Sequence, residues 1–75
     1  MEERISVISI IVENKENIPE INKILTQFGD YIIGRIGVPH YKKKMNIISI
    51  VIDSPQDVNN ELCDKIKKLD GVHLL

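Results

Sequence analysis

Two β-branched runs, Ile32 to Val38 and Met45 to Ile52, flank the polar segment Pro39-His40-Tyr41-Lys42-Lys43-Lys44. A strand-breaking proline and three like charges between hydrophobic runs belong in water, so the pattern predicts a β-hairpin with its turn over that segment. Ile5 to Val12 is β-branched almost throughout and holds no strong helix former, which predicts a central strand. Between these runs the hydrophobic period lengthens. Ile18, Ile21, Ile24, Leu25 and Phe28 fall on one stripe at helical spacing, and Val58, Leu62, Ile66 and Leu69 make a second. The first helix is predicted to start on Asn17 as cap, with Pro19 in its first turn and Glu20 reaching back to the cap, and to stop at Gly29. The second repeats that signal with Ser54 as cap, Pro55 at the first helical position and Asp57 beside the exposed N–H groups. Its acids lead and Lys65, Lys67 and Lys68 trail, which suits the helix dipole. Asp70-Gly71 ends it, and Val72 to Leu75 is expected as a short strand at a sheet edge.

The order strand, helix, strand, strand, helix, strand, with two right-handed crossovers sharing a central hairpin, predicts an α+β fold of ferredoxin-like βαββαβ type. Its four-stranded antiparallel sheet should run in the order 4-1-3-2, with both helices on one face. Because side chains alternate along a strand, Ile8, Ile10 and Val12 should meet the helices together with Ile48, Ile50 and Ile52. The opposite rows are Ile5, Val7, Ser9, Ile11 and Met45, Ile47, Ser49, Val51. They are mostly apolar, and no further element remains in the sequence to cover them. Such a face predicts a homo-oligomer, a dimer or tetramer, with Ile5, Val7, Ile11, Met45, Ile47 and Val51 at the interface.

Composition adds limits to this picture. A chain of 75 residues is expected to form one domain, and one that small gains from the support of assembly. A net charge of −1 gives no overall attraction for nucleic acid or an anionic membrane. Strands one and three lack the aromatic residues on which an RNA-recognition domain stacks bases, and no DNA-binding segment is expected ahead of the first strand. No run is long enough to span a bilayer, and Met1-Glu2-Glu3-Arg4 is not a signal-peptide opening, so a cytoplasmic protein without membrane contact is expected. The single cysteine forms no internal disulfide. Cys63, His40 and His73 are scattered without ligand spacing, so neither a metal nor a cofactor is predicted, unless subunit symmetry joins these residues across an interface. The first loop, Glu13-Asn14-Lys15-Glu16, has none of the paired thiols of a heavy-metal carrier of this fold. No nucleophile stands with a base and no acids pair, and an enzyme is not expected.

Arg35 is a lone charge within a hydrophobic strand, and Gly37 leaves room beside it. It reads either as an exposed edge side chain or as an anion or interface site using its planar fork of donors. The loop from Glu13 to Asn17 precedes a helix N-terminus, whose free N–H groups favour a carboxylate or other anion. Glu13, Asn14, Asn17, Arg35 and Gly37 are therefore the candidate effector-binding residues. Tyr41 and the three lysines either frame an anion or form a solvated turn.

With Arg35-Ile36-Gly37-Val38-Pro39, the strand Met45 to Ile52 and the closing Leu69-Asp70-Gly71-Val72, the chain resembles the small regulators of the iron-only hydrogenase system. Those are stand-alone ACT-like domains, similar to the C-terminal half of the nickel-responsive repressors, and the resemblance runs over essentially the whole chain. Glu13-Asn14 followed by Ile18 and Ile21 also resembles the ligand loop of amino-acid-binding ACT domains. Glu16 and Asn17 stand where such loops usually carry glycine, and only His40 lies near the repressors' histidine-rich metal set. The repressors' DNA-binding half has no counterpart in this sequence. The resemblance implies a sensory homo-oligomer tied to transcriptional or hydrogenase regulation, binding a small effector or partner protein at its subunit interfaces. A structural interaction module without a ligand is the alternative, and a ligand-dependent melting temperature separates the two.

Overall fold

The computed structural model describes residues 3–75. The elements follow the predicted order: β1 (Arg4–Val12), α1 (Ile18–Gln27), β2 (Ile32–His40), β3 (Met45–Ser54), α2 (Gln56–Lys67) and β4 (Val72–Leu74). One sheet runs β2-β3-β1-β4 with every pair antiparallel, which is the 4-1-3-2 arrangement of a ferredoxin-like fold. β1 and β3 pair over their whole common length, with Ile8 opposite Ile50 and Ile10 opposite Ile48.

Alternation along these two strands sends Ile8, Ile10, Val12, Ile48, Ile50 and Ile52 to the helix face, where all six are buried. The helices meet them with Ile21, Ile24, Leu25 and Phe28 from α1 and with Leu62 and Ile66 from α2. Fully burying an aliphatic side chain of this size contributes about 1.5–3 kcal/mol, and Ile10, Ile21, Ile50, Ile52, Leu62 and Ile66 have no exposed surface. The two helices are further joined by Lys65, whose Nζ lies 5.4 Å from the centre of the Phe28 ring and donates to Gln27 Oε1 at 3.3 Å.

Element ends depart from the sequence reading in five places. The proline of the hairpin does not end β2: Pro39 and His40 pair with Asn46 and Met45, and the turn shrinks to Tyr41–Lys44. An edge strand tolerates a proline because one side of its ladder is unpaired in any case. Asn17 makes no side-chain cap to α1. A 3-10 turn over Lys15–Asn17 precedes the helix instead, and Asn14 caps that turn by accepting from the Glu16 N–H at 3.0 Å. Ser54 is the buried last residue of β3 rather than a cap, so Pro55 takes the N-cap position of α2. Gly29 follows α1 without a left-handed conformation and opens a second 3-10 turn, Gly29–Tyr31, in which the Tyr31 N–H donates to the Phe28 carbonyl at 3.0 Å. α2 stops at Lys67 with Lys68 as its cap, before the expected Asp70-Gly71, and Gly71 at φ +75° instead turns the chain into β4.

β2 carries an irregularity that alternation alone does not foresee. Ile32 pairs with Ile52 and Gly34 with Val51, which leaves Ile33 without a partner in a β-bulge. One extra residue reverses the phase of everything after it. Strict alternation from Ile32 would send Ile36 and Val38 to the helix side. With the bulge, Arg35 and Gly37 fall there, opposite Ile50 and Ile48, while Ile36 and Val38 join the open face beside Ser49 and Ile47.

Candidate functional site

Among the described residues two surfaces bear on function once the core is accounted for. The first is the helix-free face of the sheet. Ile5 and Val7 of β1 are 70% and 65% exposed, and they lie in the same face as Ile36 and Val38 of β2, which are 66% and 50% exposed. Ile11, Met45, Ile47 and Val51 are half-buried between these rows. At the centre Ser9 and Ser49 face each other with their Oγ atoms 3.4 Å apart, each giving the other a partner within an apolar surround. Sequence reasoning found the rows on β1 and β3 but missed Ile36 and Val38, because the bulge that exposes them leaves no clear mark in the pattern.

The second surface lies where the start of α1 approaches the far end of the hairpin. Here a groove of about 520 Å³ opens between Lys15, Ile18 and Pro19 on one side and Pro39, Tyr41 and Lys44 on the other. A smaller lobe of about 180 Å³ continues along β2 past Gly37 to Arg35, sharing Ile18, Pro39 and Asn46 with the first. Arg35 is aimed by α1: its Nη2 donates to Asn22 Oδ1 at 2.7 Å. Among the described residues no carboxylate lies within 4.0 Å of its guanidinium. Nothing lies within 4 Å of where a Cβ on Gly37 would sit, so that side of the strand is open space.

The five candidate effector residues are therefore divided. Arg35 and Gly37 line the smaller lobe. Glu13 and Asn17 are instead tied to the segment entering β4, and Asn14 to its own loop: the Glu13 N–H donates to the Gly71 carbonyl at 2.8 Å, Glu13 Oε1 lies 3.3 Å from His73 Nε2, Asn17 Nδ2 donates to the Asp70 carbonyl, and Asn14 Oδ1 accepts from the Glu16 N–H. The first loop supplies Lys15 to the groove rather than these three polar residues. Asn22 and Asn46, which sequence reasoning did not single out, complete the Arg35 corner. An asparagine on a helix's polar face carries no signal of its contact with a distant strand.

Among the described residues no three His, Cys, Asp or Glu side chains gather in a metal-binding group. His40 is at the hairpin end, His73 on β4 and Cys63 on α2. Cys63 is half-buried with Sγ 3.5 Å from Asn59 Oδ1, and burial pushes its thiol up from the ordinary 9.0, an effect Lys67 opposes and Asp64 reinforces. The shift leaves less thiolate at neutral pH and so a poorer nucleophile. Among the described residues no helix is long and apolar enough to cross a membrane.

No curated protein matches this chain. Among solved structures it is similar to an uncharacterized protein, TM1266 of Thermotoga maritima, with a TM-score of 0.93 and 27% identity over 99% of this chain and 94% of that one. A family model covers residues 4–74, spanning every strand and both helices described above, and the chain belongs to the family it defines: TM1266-like, "Iron-only hydrogenase system regulator, putative".

Proposed function

We propose that this chain is a non-enzymatic regulatory domain of the iron-only hydrogenase system, which assembles through the open face of its sheet and responds to a small effector or a partner. The observation that carries the reading is the uncovered apolar face: Ile5, Val7, Ile36 and Val38 stand exposed together around the half-buried Ile11, Ile47 and Val51. Contiguous apolar surface of this kind on a small domain marks an interaction site. A sheet face is also self-complementary under a two-fold axis, which suits packing of two copies with the Ser9–Ser49 pair near the middle. The family description supports the regulatory part of the reading. The raised thiol of Cys63 favours its role as a packing residue over that of a catalytic nucleophile.

Sedimentation equilibrium tests the assembly. The wild-type chain should run as a dimer or tetramer at tens of micromolar, roughly the range of modest protein interfaces. Val7→Lys should reduce it to monomers with an unchanged helix and strand content, because Val7 is 65% exposed in the protomer and contributes little to its core. A wild-type monomer at those concentrations would end the proposal. An unchanged mass in the variant would move the contact to the open edge of β2.

A further inference from the structure

The groove between α1 and the hairpin carries a statement about ligand chemistry. We infer that it binds a small organic anion with a flat apolar body, a phosphate or carboxylate attached to a ring system. This rests on the reading of the chain as an effector-responsive domain and names the class of effector.

Three observations lead there. First, charge has one sign. The ionisable side chains lining the two lobes are Lys15, Lys44, Arg35, His40 and Tyr41, and among the described residues no aspartate or glutamate lines either lobe. This holds in a chain whose net charge is −1, so the cationic lining is local. Cations facing a concave, partly apolar wall raise the local concentration of anions. A zwitterionic amino acid would bring an ammonium group to a site with no carboxylate to receive it.

Second, the walls are largely apolar. Ile18, Pro19 and Pro39 form them, and Tyr41 stands 84% exposed at the rim, where its ring is free to stack on a ligand's ring. A volume of about 520 Å³ lies within the ~300–1,000 Å³ typical of small-molecule sites. Ring recognition on the walls and anion recognition at the lysines or Arg35 together define the class.

Third, two features hold these groups in place against the local preferences of the chain. Lys44 has φ +54° and is the one non-glycine residue among those described with a left-handed backbone, which an L-residue adopts at a cost. That conformation returns the chain into β3 with Lys44 on the groove. The Asn22–Arg35 hydrogen bond likewise holds the guanidinium against α1 without neutralising it. A fork of donors that keeps its full charge is suited to a bidentate anion.

The test uses the full chain, with adenosine monophosphate and an aryl carboxylate as the two probes, and inorganic phosphate and leucine as comparisons. Binding is read by melting temperature and by amide chemical shifts. At least one probe should raise the melting temperature in a concentration-dependent way and move the amides of Ile18, Gly37 and Asn46, and the larger response identifies the anionic group. The double substitution Lys15→Glu, Lys44→Glu should weaken that binding at least about tenfold, a loss of about 1.4 kcal/mol, whereas Lys43→Ala, outside the groove lining, should leave it unchanged. If the double variant does not fold, Arg35→Gln takes its place with the same expectation. No response to either probe at about 10 mM, weaker than ~2.7 kcal/mol of binding, overturns the inference. An equal response to inorganic phosphate, an adventitious ion only, or to leucine also overturns it. Sedimentation on the same samples keeps the two proposals apart, since mass reports on the sheet face and amide shifts report on the groove.

Discussion

Among the described residues two have left-handed backbones, Gly71 at φ +75° and Lys44 at φ +54°, and they pose the same problem with opposite side chains. At Gly71 a Cβ would meet Asn14 Cβ at 3.7 Å, an ordinary contact, so there is room for alanine and the penalty of Gly71→Ala comes from φ alone. It should cost about 1–2 kcal/mol. Lys44→Gly relieves a similar strain but loosens the unfolded chain by roughly 0.5–1 kcal/mol, leaving a net gain of about 0.5 kcal/mol. Urea midpoints at fixed protein concentration check both. A loss of stability in Lys44→Gly would mean that the lysine side chain, rather than the backbone, holds the turn. The glycine was legible in the sequence as a turn residue, because Asp-Gly between a helical stripe and a strand favours a left-handed backbone, although α2 itself stops earlier, at Lys67. The strained lysine was not, since nothing in Lys42-Lys43-Lys44 distinguishes the third residue from the first two.

At the level of elements, what could be read from the sequence is what repeats. The aliphatic rows of β1 and β3 and the stripes of α1 and α2 state their period several times over, and the helix-facing rows are buried as alternation requires. What could not be read happens once. The caps of both helices are displaced by a 3-10 turn and by two extra strand residues, Asp53 and Ser54, events decided by how the connection fits the sheet. The bulge at Ile33 is the most consequential, because it alone brings Arg35 rather than Ile36 to the helix side. The candidate pair Arg35 and Gly37 was visible as an odd charge beside a small residue, but the contact of Arg35 with Asn22 depended on that phase. Ile33 is 63% exposed and unpaired, so deleting it should leave a regular ladder with the same partners for Gly34 and all later residues. The deletion should fold, with a melting temperature within a few degrees of wild type, on the order of 1 kcal/mol for a chain this size. Deleting Ile36 instead should cost far more, since it leaves either the bulge or the phase of Arg35 wrong. Melting by circular dichroism compares them, and equal losses in the two variants would mean that the bulge does not set the phase.

For the whole molecule the result is a sheet with two kinds of surface. One face is spent on the core, the other is apolar and uncovered, and the cationic groove lies between α1 and the far end of the hairpin. In a molecule 42 Å long but only about half that in its other dimensions, no second layer covers the open face among the described residues, and the proposed assembly would remove it from water. The two surfaces should then answer to different forces. Raising salt from about 0.1 M to about 1 M shortens the screening length from ~10 Å to ~3 Å. Anion binding at Lys15, Lys44 and Arg35 should weaken severalfold over that range. Association through Ile5, Val7, Ile36 and Val38 should hold or tighten, most of all when the salt is a sulfate that strengthens apolar burial. Sedimentation and probe titration across one salt series read both at once. Dissociation of the assembly by sodium chloride would assign the contact to charged groups, and probe binding that ignores salt would remove the lysines and Arg35 from the groove's role.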